Sequence, residues 1–288
     1  MFNPLSHKGI IDTHCHLNSP QFDKDRDDVV QRAVDAGVEK IIDIAVDIET
    51  SKKALENSEK YPGVVYPSAG VDMEVLVPGS DLFDEKLFAK SQLEIGKWVN
   101  EQMRKLDGLL ETGKFVMIGE CGLDHYWLRQ NEGMKNEEKE KSKLMQKLLF
   151  ASQVELAIKY NLLLSIHSRG AEKECIEIIR RFKEQGSSPI AHSSALSGSF
   201  HSFTGTVEQA KQIVKLGFKI GVNGIVTYKS ADNVREVVKA AGLENIVFET
   251  DAPYLVPSGF KPGGLNQRRN EPGSVVKTIE YVKDLLQK

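Results

Sequence analysis

The sequence predicts an α/β protein built as a (β/α)8 TIM barrel, and three observations predict it. Short β-rich runs recur eight times, helical patterns separate them, and 288 residues over eight units give 36 residues per unit, enough for a strand, a helix and their loops. An open doubly wound sheet is the alternative. No glycine-rich phosphate turn follows the first run to support it.

In chain order the runs are GIIDTH (9–14), EKIIDIAV (39–46), VVYPSAGV (64–71), FVMIGE (115–120), LLLSIH (162–167), a region between Ile190 and Phe203, FKIGVNG (218–224) and NIVFET (245–250). After the first run, Val29, Ala33 and Val34 repeat at helical spacing and stop at Gly37. Met145, Leu148, Leu149 and Leu156 form a second such pattern, Cys175, Ile178, Ile179 and Phe182 a third, and Val234, Val237 and Val238 a fourth. This is the spacing of one buried helix face. A last helix carries Val275, Ile279, Val282 and Leu286, with Pro272 in its first turn, where the missing N–H has no intrahelical partner to lose. Residues 74–114, with PGSDLF and a helix around Leu93, Val99 and Leu106, form a longer third crossover. Residues 128–143 (LRQNEGMKNEEKEKSK) read as a solvated helix start or loop, and 188–199 is a further long segment. No linker divides the chain, so 1–288 reads as one domain.

Hydrophobic residues at 40% and charged residues at 27% exclude collagen-like, fibrous and disordered classes. No apolar run approaches the roughly 20 residues that cross a bilayer, and MFNPLSHKG lacks the apolar core of a signal peptide. Three cysteines, Cys15, Cys121 and Cys175, in no CxxC pattern fit a reducing compartment. The expected location is the cytoplasm, or the nucleus in a eukaryote. A net charge of -3 excludes a broad cationic track for duplex DNA. A nucleic-acid role would rest on a few placed cations or on bound metals.

The first strand ends IDTHCHLN, and strand alternation puts Asp12, His14 and His16 on one face and Thr13 and Cys15 on the other. Two imidazoles one residue apart are a common start to a divalent metal site, and barrel active sites lie at these C-terminal strand ends. Cys15 is then a packing residue. Glu120 ends FVMIGE, His167 ends LLLSIH, Asp251 follows NIVFET, and His192 or His201 closes the sixth region. Singly these read as a strand-end carboxylate, a core histidine and a turn-former before Ala252-Pro253. Together they put four histidines and two carboxylates on one rim, a set able to hold two divalent ions about 3.5 to 4 Å apart with a bridging carboxylate and an activated water.

IDTHCHL, GECGLDHYW, SIHSR, HSFTG, ETDAPYL and RNEP, in this order from about Ile10 to Pro272, resemble the successive motifs of the TatD family of metal-dependent deoxyribonucleases, relatives of the amidohydrolase barrels. The resemblance implies a barrel of the metal-dependent hydrolase type and phosphodiester cleavage of DNA, often from a 3′ end. It implies that His14, His16, Glu120 and Asp251 hold one ion and Glu120, His167 and His201 the other. His201 is the implied ligand, and His192 is left as a neighbouring or surface histidine. Two places depart from the family. Its members commonly read GxHP after the third strand, where this chain has GVDMEV with Asp72 and Met73, and Asp72 repels an anion unless metal-bound or turned away. The stretch SSPIAHSSALSGSF before HSFTG is longer than expected.

Paired divalent ions of zinc, manganese, magnesium or cobalt type activate a water and clamp the phosphate oxygens. Asp251, beside that water, is the expected general base, with Glu120 between the ions. Asp12, on the same strand face, is expected to hold the two histidines. Arg169 and Arg268 or Arg269 are expected to fork onto a phosphate, with a structural salt bridge to Glu271 as the other reading. Tyr126 and Trp127 either stack a terminal base or pack beneath the charged loop. The expected partner is DNA, as single strands or 3′ ends, with no membrane. The alternatives are hydrolysis of a small amide, lactone or phosphoester by the same metals, or a non-catalytic interaction protein.

Overall fold

The computed structural model describes residues 9–184, 196–263 and 268–287. The eight runs become eight strands: β1 Ile10–Cys15, β2 Val38–Asp43, β3 Val65–Ala69, β4 Met117–Asp124, β5 Leu163–Arg169, β6 Gly198–Phe200, β7 Lys219–Val222 and β8 Ile246–Phe248. Each lies parallel to its sequence neighbours, in the order β1 to β8. The circle closes through a short seam. Cys15 bridges Ala252 in parallel, the His16 N–H donates to the Ala252 carbonyl, and the Asp251 N–H donates to the His14 carbonyl, both at 2.8 Å. This is the expected TIM barrel. In the sixth unit, residues 185–195 and His192 among them lie outside the described residues.

The crossovers are helical: α1 Arg26–Asp35, α2 Ile48–Lys60, α3 Glu85–Phe88, α4 Gln92–Leu110, α5 Tyr126–Gln130, α6 Asn136–Tyr160, α7 Glu172–Glu184, α8 Val207–Lys215, α9 Asp232–Ala241 and α10 Val275–Gln287. Three expected core positions face outward instead: Val34 is 40%, Leu93 71% and Leu148 39% exposed. Each residue advances about 100° around a helix, so Val34 is carried past the stripe of Val29, Val30 and Ala33. Leu93 lies roughly opposite Ile95, which with Val99, Leu106 and Leu110 faces the core. Pro272 opens a 3-10 turn, Pro272–Ser274, that runs directly into α10. The charged stretch supplies the end of α5, a turn, and the first two turns of α6.

Helix α6 also orders the loops above the barrel. Its apolar stripe carries two fully buried glutamines, Gln146 and Gln153. Gln146 accepts from the Asp124 N–H at 2.9 Å and donates to the Asp124 carbonyl at 3.1 Å. Gln153 does the same for Val71, at 2.9 Å both ways. A buried amide that satisfies both backbone groups of one residue pins that residue. The chain is thereby fixed where β4 ends and where β3 turns into the Asp72 loop.

Candidate metal centre

Strand β4 is irregular where the chemistry gathers. Its pairing with β5 shifts register between Ile118 and Cys121, and the Glu120 N–H turns across to donate to the Ala45 carbonyl at 2.6 Å. Such a bulge re-aims a side chain. Gly122, at φ +138, pairs with His167, and a Cβ there would lie 2.0 Å from the His167 carbonyl oxygen. Only glycine lets the two strands approach so closely at this φ, which brings Glu120 against His167.

Glu120 is the hub of the site. Its Oε2 lies 3.6 Å from His14 Nε2 and 3.5 Å from His16 Nε2, while its Oε1 lies 2.9 Å from His167 Nδ1 and 2.8 Å from His201 Nε2. One carboxylate therefore gives one oxygen to each pair of imidazoles. Asp251 completes the first pair, with Oδ1 3.3 Å from His16 Nε2 and 3.6 Å from His14 Nε2. It is held at the barrel seam with φ +56, a left-handed conformation that Asp tolerates better than most residues. The structure thus brings together all six residues expected on the rim: His14, His16, Glu120, His167, His201 and Asp251.

Three of the imidazoles are anchored through the nitrogen that faces away from Glu120. His16 Nδ1–H donates to the Ile44 carbonyl at 3.1 Å, His14 Nδ1 lies 2.8 Å from Ser165 Oγ, and His167 Nε2 lies 3.2 Å from Asp124 Oδ2. Partners of this kind set the tautomer and leave the inner nitrogen free as a ligand. The donor set suits a divalent ion. Two groups, His14 with His16 and Glu120, and Glu120 with His167 and His201, each place their ligand atoms within 4.8 Å of one another.

Charge is shared unevenly across the cluster. Burial and the adjacent His201 push the His14 imidazole down to about 4. Burial also works against the His16 cation, yet Asp251 and Glu120 raise it to about 9. Burial opposes ionisation of Glu120 too, but His201, His14 and His167 hold its carboxyl well below the usual range. A buried, ionised Glu120 ringed by imidazoles is a negative centre that favours a bound cation.

Around the centre a cavity of about 480 Å3 is lined by His16, Asp72, Glu120, Trp127, His167, Arg169, His201, Asp251 and Tyr254, among others. Asp72 is almost fully buried and accepts from the Glu74 N–H at 2.8 Å. Burial, then Glu120 and Glu74, hold its carboxyl well above the ordinary value. Arg169 Nε and Nη2 both reach Asp124 Oδ2, at 2.8 and 2.7 Å, and its guanidinium lies 4.7 Å from the Tyr126 ring centroid and 5.5 Å from that of Trp127. Trp127 faces the cavity. Tyr126 packs edge-on against it at 5.3 Å and is 41% exposed outside the lining.

Several expectations need correcting. Arg269 does not reach the cavity: it is buried, with Nη1 and Nη2 forked onto Asp25 at 2.8 and 2.7 Å, a contact to Glu271 at 3.2 Å, and Phe22 beneath its guanidinium. The structural salt bridge is the reading that holds. Replacing Arg269 with methionine removes the fork on buried Asp25, while Glu271 keeps Arg32 on both oxygens at 2.8 Å, and is expected to cost about 3 to 5 kcal/mol in urea unfolding, with metal content unchanged. A loss below about 1 kcal/mol would contradict this assignment. Arg268 is exposed and is not among the described residues that line the cavity. Asp12 does not touch the imidazole rings. It accepts from the Thr250 N–H and hydroxyl, at 2.9 and 2.5 Å, and from the His14 N–H at 3.3 Å, so it ties the β1 backbone to the residue before Asp251. Cys15 is buried in a core cluster, as a packing residue should be. Ser165, Asp124 and Tyr254 were missed, though all three lie within quoted strand or motif segments. Tyr254 is 53% exposed at the cavity wall, edge-on to His16 at 6.2 Å.

Residues 11–288 match the family model described as TatD related DNase. An uncharacterized metal-dependent hydrolase of Bacillus subtilis, YabD, is 32% identical over 96% of this chain and 91% of its own length. An enzyme of Erwinia billingiae named 3′-5′ ssDNA/RNA exonuclease TatD is 28% identical over 96% of this chain and 91% of its own. Among solved structures, YjjV, a TatD homologue of Escherichia coli K12, superposes with a TM-score of 0.69 at 28% identity, covering 96% of this chain and 90% of that one. With the family model spanning nearly the whole barrel, the chain belongs to the TatD-related DNase family and is a metal-dependent hydrolase acting on ester bonds.

Proposed function

We propose that the protein is a two-metal exodeoxyribonuclease that shortens single-stranded DNA from its 3′ end. The observation that carries this reading is Glu120, whose two oxygens serve two separate imidazole pairs. Divalent ions held by His14, His16, Glu120 and Asp251, and by Glu120, His167 and His201, would supply an activated water near neutral pH and neutralise the phosphate. Asp251, whose carboxylate opens on the cavity beside His16 and His14, would take up the proton of the attacking water. Arg169 presents the one guanidinium among the described lining residues, with its position set by Asp124 and the Trp127 face. Trp127 and Tyr254 offer stacking surfaces for an unpaired base, each interaction worth about 1 to 3 kcal/mol.

A cavity of about 480 Å3 admits a nucleotide or two but not a stacked duplex. Unpairing costs a few kcal/mol per flipped nucleotide, and a chain of net charge -3 brings no net positive charge to offset it. The name of the Erwinia relative supports the same preference. A 5′-labelled single-stranded oligonucleotide is therefore expected to yield a ladder of shortened products, with closed circular duplex cut far more slowly. Rapid linearisation of the circle without laddering would refute end-directed cleavage. The acidic side of the cavity, Asp72, Glu74 and Asp81, favours a second reading, a small uncharged amide or lactone; turnover of such substrates above that of the oligonucleotide would select it. No helix among the described residues is long and apolar enough to cross a membrane, and the three buried free thiols fit a reducing, cytoplasmic setting.

A further inference from the structure

Of the four imidazoles around Glu120, His201 alone has an outer nitrogen with no hydrogen-bond partner. Its Nδ1 is buried and unpartnered, and so is Oε2 of Glu249. Glu249 follows β8 by one residue and is fully buried. Its Oε1 accepts from the Ser202 N–H at 2.5 Å and lies 3.8 Å from His201 Nδ1. The residue opposite is Gly221, where a Cβ would stand 2.5 Å from Glu249 Oε2 and 2.8 Å from the His201 Cα. Glycine at 221 thus makes room for the carboxylate directly behind the imidazole. His201 thus has a buried nitrogen without an acceptor and Glu249 a buried oxygen without a donor, and the carboxylate comes within 3.8 Å of the ring through its other oxygen, so a small movement of either side chain recovers the free energy that the two unpaired atoms cost.

We propose that Glu249 is the positioning residue for His201, accepting its Nδ1–H and so directing the Nε2 lone pair toward the ion shared with Glu120 and His167. This rests on the two-metal reading above. It gives His201 what Ile44, Ser165 and Asp124 give the other three, and outer partners of this kind tune metal affinity. His14, His201 and Glu249 also place ligand atoms within 4.8 Å of one another, so direct coordination by Glu249 is the competing outcome that a test must separate.

Zinc affinity of the full chain, read by competition with a chromophoric chelator, separates them through two variants of similar volume. Glu249→Leu removes the acceptor and is expected to weaken one of the two ions by about 10- to 100-fold. Glu249→Gln keeps an acceptor without the charge and is expected to stay within about threefold of wild type. Wild-type affinity in the leucine variant overturns the proposal, as does a glutamine variant as weak as leucine, which marks Glu249 as a ligand. Should the leucine variant not fold, 1H–15N spectra of the zinc-loaded wild type decide: His201 protonated at Nδ1 supports the proposal, and protonation at Nε2 overturns it. Wild-type protein that binds no zinc would remove the metal reading itself and this inference with it.

Discussion

Glu120→Gln is expected to lower kcat/KM by about 10³-fold or more, a loss of roughly 4 kcal/mol of transition-state stabilisation, while the far-ultraviolet circular dichroism stays that of wild type. The reason lies in the division of labour within one carboxylate. Oε2 faces His14 and His16, and Oε1 faces His167 and His201. An amide of the same shape offers an oxygen to one pair and an NH2 to the other, and an NH2 cannot donate a lone pair to a metal. Bound metal should fall alongside activity. The backbone has reason to persist, because the Glu120 N–H bond to Ala45 does not depend on the side chain. Turnover within tenfold of wild type, or undiminished turnover of the native protein after dialysis against excess chelator, would remove Glu120 and the metal from the mechanism.

Asp251→Asn separates proton transfer from architecture. Asparagine accepts the left-handed conformation at φ +56 as readily as aspartate, and the N–H bond to the His14 carbonyl survives. What is lost is a base and one negative oxygen beside His16. A general base contributes typically 10² to 10⁴ in rate, so kcat is expected to fall by about that factor. Binding of the ion proposed beside His14 and His16 should weaken, and that of the ion proposed between His167 and His201 should remain. A variant that keeps wild-type kcat would place the proton acceptor elsewhere.

Much of this was legible in the sequence because strand period and strand-end position are local properties. His14 and His16 share a face two residues apart, and every rim residue sits where a β-rich run stops. The sixth unit was harder: GSF at Gly198–Phe200, the strand among the described residues there, offers one large apolar residue, whereas IVF at Ile246–Phe248 is apolar throughout. What the sequence did not disclose are partnerships across the chain. Ser165 meets His14 from 151 residues away, and Asp12 meets Thr250 from 238. Alternation correctly put Asp12 on the histidine face but said nothing of which neighbour would claim its oxygens. Arg269 shows the same limit. In the RRNEP segment a phosphate fork and a structural salt bridge to Glu271 were both open, and only packing reveals that Asp25, 244 residues earlier, holds its guanidinium.

The seam that closes the barrel has a consequence for how the chain holds itself shut. β1 and β8 meet through one bridge and a few bonds, and the residues around the first proposed ion come from both sides: His14 and His16 from one end of the chain, Asp251 from the other. An ion seated there would act as a clasp between the first and last strands. Local opening of that joint would tear apart its own ligand shell, so the joint would be stabilised by mass action as free metal rises, by about 2.7 kcal/mol at a hundred times Kd. Slow hydrogen exchange at the His16 and Asp251 amides would then report metal occupancy, and chelation would loosen the two ends of the polypeptide before it unfolds the middle.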